Sequence, residues 1–392
     1  MKVTFFSNYF NHHQRALCEA FFREIGDGFT FVETEPMESF RVNMGWGVSE
    51  SPSFVLKTHE SDENKKKALE LGLASDVVIM GTAPEYFIRE RLKADRLTFR
   101  YSERPLKEGR VKVLIPRLFL KFYRNHYKNR NKRLYCLCAG AYVSSDYKFL
   151  HSYIGKCYKF GYFPAAESLP YESIRALRSR RSKVRILWAG RFLKLKRADL
   201  FIEAARRCRE RGYDFEVVIV GDGKEEKRLK KLVVDSALQG RTVFKGYLSP
   251  TETRNEMERA DIFVMTSNRL EGWGSVIYEA LSAGCACIAS HAAGASPFLI
   301  GEGRSGLMFK SDDIDSLTKR LEYLLKNPDK MREMGEEAYY NMKENWNPTV
   351  AATRLLELSE SLINGQEKRF RSGPLSPCED LYMDWYHEPE MG

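Results

Sequence analysis

Nowhere in the 392 residues does an uncharged apolar run approach the ~18 residues that would suggest a membrane-spanning helix, so none is expected. The eight cysteines are scattered. Cys136 and Cys138, and Cys285 and Cys287, are each separated by one residue, not by the two of a zinc knuckle. Spacing by two puts both members of a pair on one face of a strand, a usual place for buried thiols. Neither disulfide nor metal site is expected, and the compartment reads as reducing and cytosolic. Gly221-Asp-Gly223 lacks the third glycine of the dinucleotide fingerprint, which disfavours a dehydrogenase. There is no short-period repeat and no low-complexity tract. Residues 1–7 form a short apolar run followed by polar Asn8 and Asn11, a pattern that suits a first strand better than a secretory signal.

An apolar content of 43% supports real cores, and the length suits two domains. The chain carries 63 basic against 53 acidic residues, net +10, and the excess is uneven. Residues 1–180 hold 30 basic and 20 acidic residues, so the remainder is balanced. Most of the excess lies in 89–133, with 16 basic and 4 acidic residues interleaved with Phe, Leu and Tyr. Such a segment suits the surface of an anionic membrane. A solvated charged face is the other reading; nucleic acid is not expected as a partner.

Apolar strands alternate with helical patterns along the whole chain. In the second half, strands are expected at 184–190, 215–220, 242–246, 261–266, 286–290 and 306–309. Helices are expected at 198–211, 225–238, 250–259, 278–283 and 312–326. In the first half, strands are expected at 3–7, 29–33, 76–81 and 97–101, with helices at 13–24, 65–73 and 84–93, and 133–138 and 141–144 frame another turn. This is an α/β chain of two Rossmann-like doubly wound domains. The expected divisions are 1–170, 183–345 and a helix with tail, 346–392, packing back on the first domain. The stretch 164–183, with Pro164, Pro170 and a run of arginines, reads as the linker.

One segment stands out chemically. Glu271-Gly-Trp-Gly-Ser-Val-Ile-Tyr-Glu279 follows an apolar strand and enters a helical stretch. Its glycines let backbone approach a ligand, and free amides at a helix start favour an anion. The flanking carboxylates repel phosphate but accept hydrogen bonds from sugar hydroxyls. By spacing alone, a pair of unremarkable helix and surface carboxylates fits as well.

Taken with its neighbours, this segment resembles the retaining glycosyltransferases of the GT-B type, family four. The resemblance rests on Ala189-Gly190-Arg191 with Lys196 beyond it, Val220-Gly-Asp-Gly223, Phe244-Lys-Gly246, the Glu-x7-Glu spacing of Glu271 and Glu279, and the stretches 280–284 and 286–290. It covers about 184–345. More weakly, Asn11-His-His-Gln14 and Thr34-Glu-Pro-Met37 resemble a subgroup associated with bacterial surface polysaccharide synthesis.

The resemblance implies a GT-B fold whose domains face each other across a cleft, and a donor site in the second. Arg191 and Lys196 would offset the diphosphate and stabilise charge growing on the leaving nucleotide. Gly190 and Gly221 would line the site. Gly272, Gly274, Ser275 and Val276 would offer amides, Glu271 would hold the donor sugar, and Glu279 would accept from the ribose. Tyr247 sits where the family contacts the base, although a loop or core tyrosine is an equal reading. Arg197 stands where the family usually has glycine, and Trp273 and Ser275 replace commoner apolar residues.

His12 and His13 follow the first strand, at the edge where such sheets place ligands. His12 is a candidate base, and both are candidates for holding the acceptor; a helix-start histidine without chemistry is the alternative. Glu103 and Arg104 are further acceptor candidates. With Glu271, Lys196, Arg191 and His12 as the catalytic set, the resemblance implies a retaining, metal-independent transferase with no cofactor beyond its nucleotide sugar, UDP- or GDP-linked. The acceptor would be a glycan or lipid-linked, and the enzyme peripheral on the inner face of the membrane. The Asp-x-Asp within 312–315 reads as a helix cap, not a metal site. Competing readings are a UDP-sugar epimerase of similar fold and a non-catalytic nucleotide-sugar-binding scaffold.

Overall fold

The computed structural model describes residues 1–38, 51–165 and 168–390, and it divides into two compact units. The first comprises Met1–Ala165 with Trp346–Tyr382, the second Ala166–Asn345 with Met383–Gly392.

The first unit holds a seven-stranded parallel sheet: β1 (Val3–Ser7), β2 (Phe29–Glu33), β3 (Val55–Lys57), β4 (Val77–Met80), β5 (Thr98–Ser102), β6 (Leu134–Ala139) and β7 (Cys157–Phe160). Their order in space is β3-β2-β1-β4-β5-β6-β7. Apolar and β-branched residues fill both faces of the central strands because helices cover both sides; Phe5, Phe6, Val78 and Ile79 are all buried. The helix His12–Ile25 starts under an Asn11 cap whose side chain accepts from the His13 amide at 2.9 Å. It packs against the helix Pro348–Ile363.

Two strands of this unit, β3 and β7, are absent from the sequence pattern. Both are short, and β3 is half-exposed along its length. The segment 375–378 pairs with the outer edge of β7: the Lys159 amide donates to the Ser376 carbonyl at 2.8 Å, and the Cys378 amide to the Cys157 carbonyl at 2.9 Å.

The second unit holds six parallel strands: β8 (Val184–Ala189), β9 (Phe215–Val220), β10 (Thr242–Gly246), β11 (Ile262–Met265), β12 (Ala286–Ser290) and β13 (Gly306–Phe309), in the order β10-β9-β8-β11-β12-β13. Strand positions agree with the apolar pattern within a residue or so at each end. The stretch read as linker instead contains a helix, Tyr171–Ser179. Its Arg178 guanidinium donates to the carbonyls of Gly284 (2.6 Å), Ala283 (2.8 Å), Glu258 (3.0 Å) and Met257 (3.2 Å), tying the helix to this unit. Residues near the end of the chain are anchored here too. Tyr386 stacks on His291 with ring centroids 5.1 Å apart, and buried Arg320 donates to the Tyr386 hydroxyl at 3.1 Å.

Candidate active site

In a doubly wound sheet, ligands bind beyond the carboxyl ends of the strands, where the strand order reverses. In the second unit the reversal lies between β8 and β11, since β9 and β10 extend to one side and β12 and β13 to the other. The loop after β8 carries Gly190, Arg191 and Lys196, and the loop after β11 carries Glu271 and Gly272. The structure joins them: the Lys196 ammonium donates to the Glu271 carboxylate at 2.5 Å, with both side chains mostly buried.

The surrounding backbone fixes this pair. The Trp188 indole donates to the Thr266 hydroxyl at 3.0 Å, and that hydroxyl donates to the Lys196 carbonyl at 2.7 Å. The Asn268 amide donates to the Leu195 carbonyl at 2.9 Å. Thr266, Trp188 and Asn268 were not singled out in the sequence. For Thr266 and Asn268 the only signal there is a polar residue just past an apolar strand, which most strand ends show, and Trp188 reads as an ordinary core residue within β8.

The glycines are explained sterically. Gly221 has φ +128°, and a Cβ there would lie 2.0 Å from the Gly190 carbonyl oxygen, so the loops after β8 and β9 touch through it. Gly274 has φ +91° and stands at the start of the helix Ser275–Ser282. That helix begins three residues earlier than the pattern suggested, directly after the glycine. The amides of Ser275 and Val276 therefore occupy its first turn, where no intrahelical acceptor is available. Trp273 is buried, with its ring 6.2 Å from that of Phe298, so its departure from the family pattern belongs to the core. Arg197 takes the left-handed conformation, φ +51°, which accounts for the family's usual glycine at this position. Its guanidinium pairs with Asp199 and Asp312.

Glu279 lies on the same helix, partly buried. Burial pushes its carboxyl up to about 7, with Arg254 opposing the shift. Arg191 is exposed. Tyr247, after β10, is 51% exposed and is not part of the core.

In the first unit, the strand order reverses between β1 and β4, and His12 and His13 follow β1. Their rings lie 3.9 Å apart, and His13 is 5.9 Å from the Tyr162 ring. Burial, aided by His12, lowers His13 to about 3, so it is a neutral imidazole at physiological pH. The Tyr162 hydroxyl donates to Glu103 at 3.0 Å, which brings His13, Tyr162 and Glu103 together. Arg104 is engaged elsewhere: it donates twice to buried Asp146, at 3.1 and 3.2 Å, and lies over the Tyr142 ring. Within 312–315, Asp313 caps the helix Ile314–Lys326, accepting from the amides of Asp315 and Ser316 at 3.0 Å.

Known proteins resemble the chain in part of its sequence and in its fold. Residues 172–340 match the family described as glycosyl transferases group 1. The chain is 27% identical over 179 residues to the GDP-mannose-dependent alpha-(1-6)-phosphatidylinositol monomannoside mannosyltransferase of Mycolicibacterium smegmatis, covering 44% of this chain and 47% of that protein. It is 24% identical over 196 residues to the putative colanic acid biosynthesis glycosyltransferase WcaL of Escherichia coli, covering 48% of each. The chain thus spans about half the length of the curated relatives it matches. Among solved structures, Anabaena Alr3699/HepE in complex with UDP aligns over 92% of this chain and all of its own, with a TM-score of 0.68 at 14% identity. Sucrose-phosphate synthase from Thermosynechococcus elongatus aligns over 93% of this chain and all of its own, with a TM-score of 0.62 at 15% identity. The two-sheet fold is that of the GT-B glycosyltransferases, and residues 172–340 carry the group 1 sequence.

Proposed function

We propose that the protein is a retaining glycosyltransferase that moves a sugar from a nucleoside-diphosphate sugar to a glycan or lipid-linked acceptor, in the synthesis of a surface polysaccharide or glycolipid. The observation that carries this reading is the Lys196–Glu271 pair, seated where β8 and β11 diverge within the segment that matches the family. An ammonium fixed there, with Arg191 on the same loop, stabilises the charge that grows on the diphosphate as the glycosidic bond breaks, without a metal ion at that step. Glu271 holds a hydroxyl of the donor sugar, and Glu279 accepts from the ribose. The amides of Gly272, Gly274, Ser275 and Val276 face the phosphates or sugar, with Gly190, Gly221 and Tyr247 completing the donor site.

The acceptor falls to the first unit, to His12, His13 and Glu103. His12 is the candidate base there; His13, with its depressed basicity, serves better as a neutral hydrogen-bonding group. Arg104 is better placed to hold Asp146 than to meet a substrate. Names among the relatives support both a UDP-linked and a GDP-linked donor: HepE was crystallised with UDP, and the mycobacterial relative is GDP-mannose-dependent.

The test is transfer from a panel of UDP- and GDP-sugars, without added divalent metal, to lipid-linked or glycan acceptors, with product configuration read by NMR. Wild type forms product of retained configuration. Lys196→Ala and Glu271→Ala, checked for folding by circular dichroism, lose about 10²–10³-fold in rate. Full activity in both variants contradicts the site, and conversion of donor alone without an acceptor points to an epimerase.

The basic segment supports a second element of the reading, docking on the anionic inner face of a membrane. The helix Pro116–Asn125 leaves Phe119, Leu120 and Tyr123 exposed, with Leu114 and Ile115 before it, beside Arg117, Lys121 and Arg124. Among the described residues no helix is long and apolar enough to cross a membrane.

A further inference from the structure

Four of the eight cysteines come from three distant parts of the chain and meet at one place in the first unit. Cys136 and Cys138 are two apart on β6 and so face the same side. Cys157 on β7 is the register partner of Cys136. Cys378 lies on the segment that pairs with β7 and packs, partly buried, against the core cluster that contains Cys136, Cys138 and Cys157. The sulfurs of Cys136, Cys138 and Cys157 all lie within 4.8 Å of one another, and those of Cys136 and Cys138 are 3.8 Å apart. A tetrahedral zinc ion with Zn–S bonds of about 2.3 Å would hold its sulfurs ~3.8 Å from each other. Cys136, Cys138 and Cys157 are buried and Cys378 is partly exposed, which leaves one side of the cluster open to an entering ion.

We infer that these thiols form a structural site for a soft divalent cation of the zinc class, with Cys136, Cys138 and Cys157 as its core ligands and Cys378 as the fourth. Buried single thiols need no explanation; four converging from positions 136, 138, 157 and 378 do. Binding converts the thiols to thiolates, releases their protons to solvent and leaves excess negative charge on the cluster. Arg100, the buried register partner of Cys136, and Lys159, the register partner of Cys138, lie on the same face. Arg100 also holds Glu85, at 2.7 and 3.0 Å. The sequence did not announce the site because a one-residue gap is not the zinc-knuckle spacing and two ligands lie far along the chain. An ion here would clamp the segment 375–378 to β7, the outer strand of the sheet. The site is independent of the donor chemistry, and its test needs no sugar transfer.

The full chain, purified under reducing conditions and stripped with a chelator, is titrated with Co(II) and followed by absorption. The site gives thiolate-to-cobalt charge-transfer bands and the visible bands of a tetrahedral ion, saturating at one cobalt per chain, with a rise in Tm. Cys208→Ser, a buried cysteine of the other unit, leaves this titration unchanged. Cys138→Ser abolishes it. Should Cys138→Ser fail to fold, Cys378→Ser, at a partly exposed position, weakens cobalt affinity by tenfold or more while keeping the fold. Absorption of hexaaquo cobalt only, a disulfide among these cysteines under the same reducing conditions, or wild-type titration by both variants overturns the inference.

Discussion

At the scale of single residues, Glu279 gives the sharpest pH signature. Its carboxyl, pushed up to about 7 by burial, retains its proton in the folded protein at pH values where it would be ionised in the unfolded chain. The folded state therefore binds the extra proton between about 4.5 and 7, and the stability this group contributes is present below 4.5 and lost as pH rises through 7. As an acceptor for ribose hydroxyls it works best ionised, so nucleotide affinity should increase from pH 6 to pH 8. Isothermal titration of a nucleoside diphosphate across that range checks this, and Glu279→Gln should flatten the dependence. A wild-type profile as flat as the variant's removes Glu279 from the ligand. The sequence could place this carboxylate in a helical stretch but not its burial, which depends on what packs around it. The converse holds for Arg104: as a polar residue past a strand end it looked like a ligand, and only the fold reveals Asp146 beneath it.

At the scale of elements, runs with apolar residues on both faces were the most legible. β8 and β9, each interrupted by one charged residue (Arg185 and Glu216), and β11 and β12 are predominantly apolar stretches, and they lie where the pattern put them. Elements stabilised by partners far along the chain were not legible. β7, Cys-Tyr-Lys-Phe, exists through pairing with β6 and with 375–378, and the helix Tyr171–Ser179 through the carbonyls gathered by Arg178. The helix Pro116–Asn125 was read as a charged segment because its apolar residues cover a face that the protein leaves open. Phe119 and Tyr123 stack one turn apart, and Tyr123 on Tyr127 the next. This arrangement predicts binding to vesicles containing phosphatidylserine at low salt, weakening toward 0.5 M NaCl as screening grows. Phe119→Asp with Leu120→Asp should lower the bound fraction in a sedimentation assay several-fold, since it removes apolar depth and adds negative charge that an anionic surface repels. Binding that is equal on neutral vesicles, or unchanged in the double variant, leaves the helix as an ordinary solvated face.

At the scale of the whole molecule, two parallel sheets followed from the alternation of elements, and the donor half from its motifs. The acceptor half is less legible because its chemistry sits in short polar loops, such as 8–13 and 102–104, whose residue types are common at any strand end. The asymmetry recurs in the comparisons: the family match spans 172–340 and the curated relatives align over less than half of the chain, whereas the structural match extends over nine-tenths of it. Sheet order is the physical link between the halves of this reading. It makes the ends of β8 and β11 the one place in the second unit where neighbouring loops lead away from each other, and Lys196 and Glu271 are found there, in contact. The claim that this is a nucleotide-sugar site is tested most directly by thermal denaturation with UDP, GDP, ADP and CDP. A ligand that binds only the folded state at 100-fold above its Kd adds about 2.7 kcal/mol. The account predicts that UDP or GDP raises the Tm of wild type, that the rise is lost in Lys196→Ala and Arg191→Ala, and that it persists in Arg104→Ala. No shift with any nucleoside diphosphate, or an equal shift in the Lys196 and Arg191 variants, would contradict it.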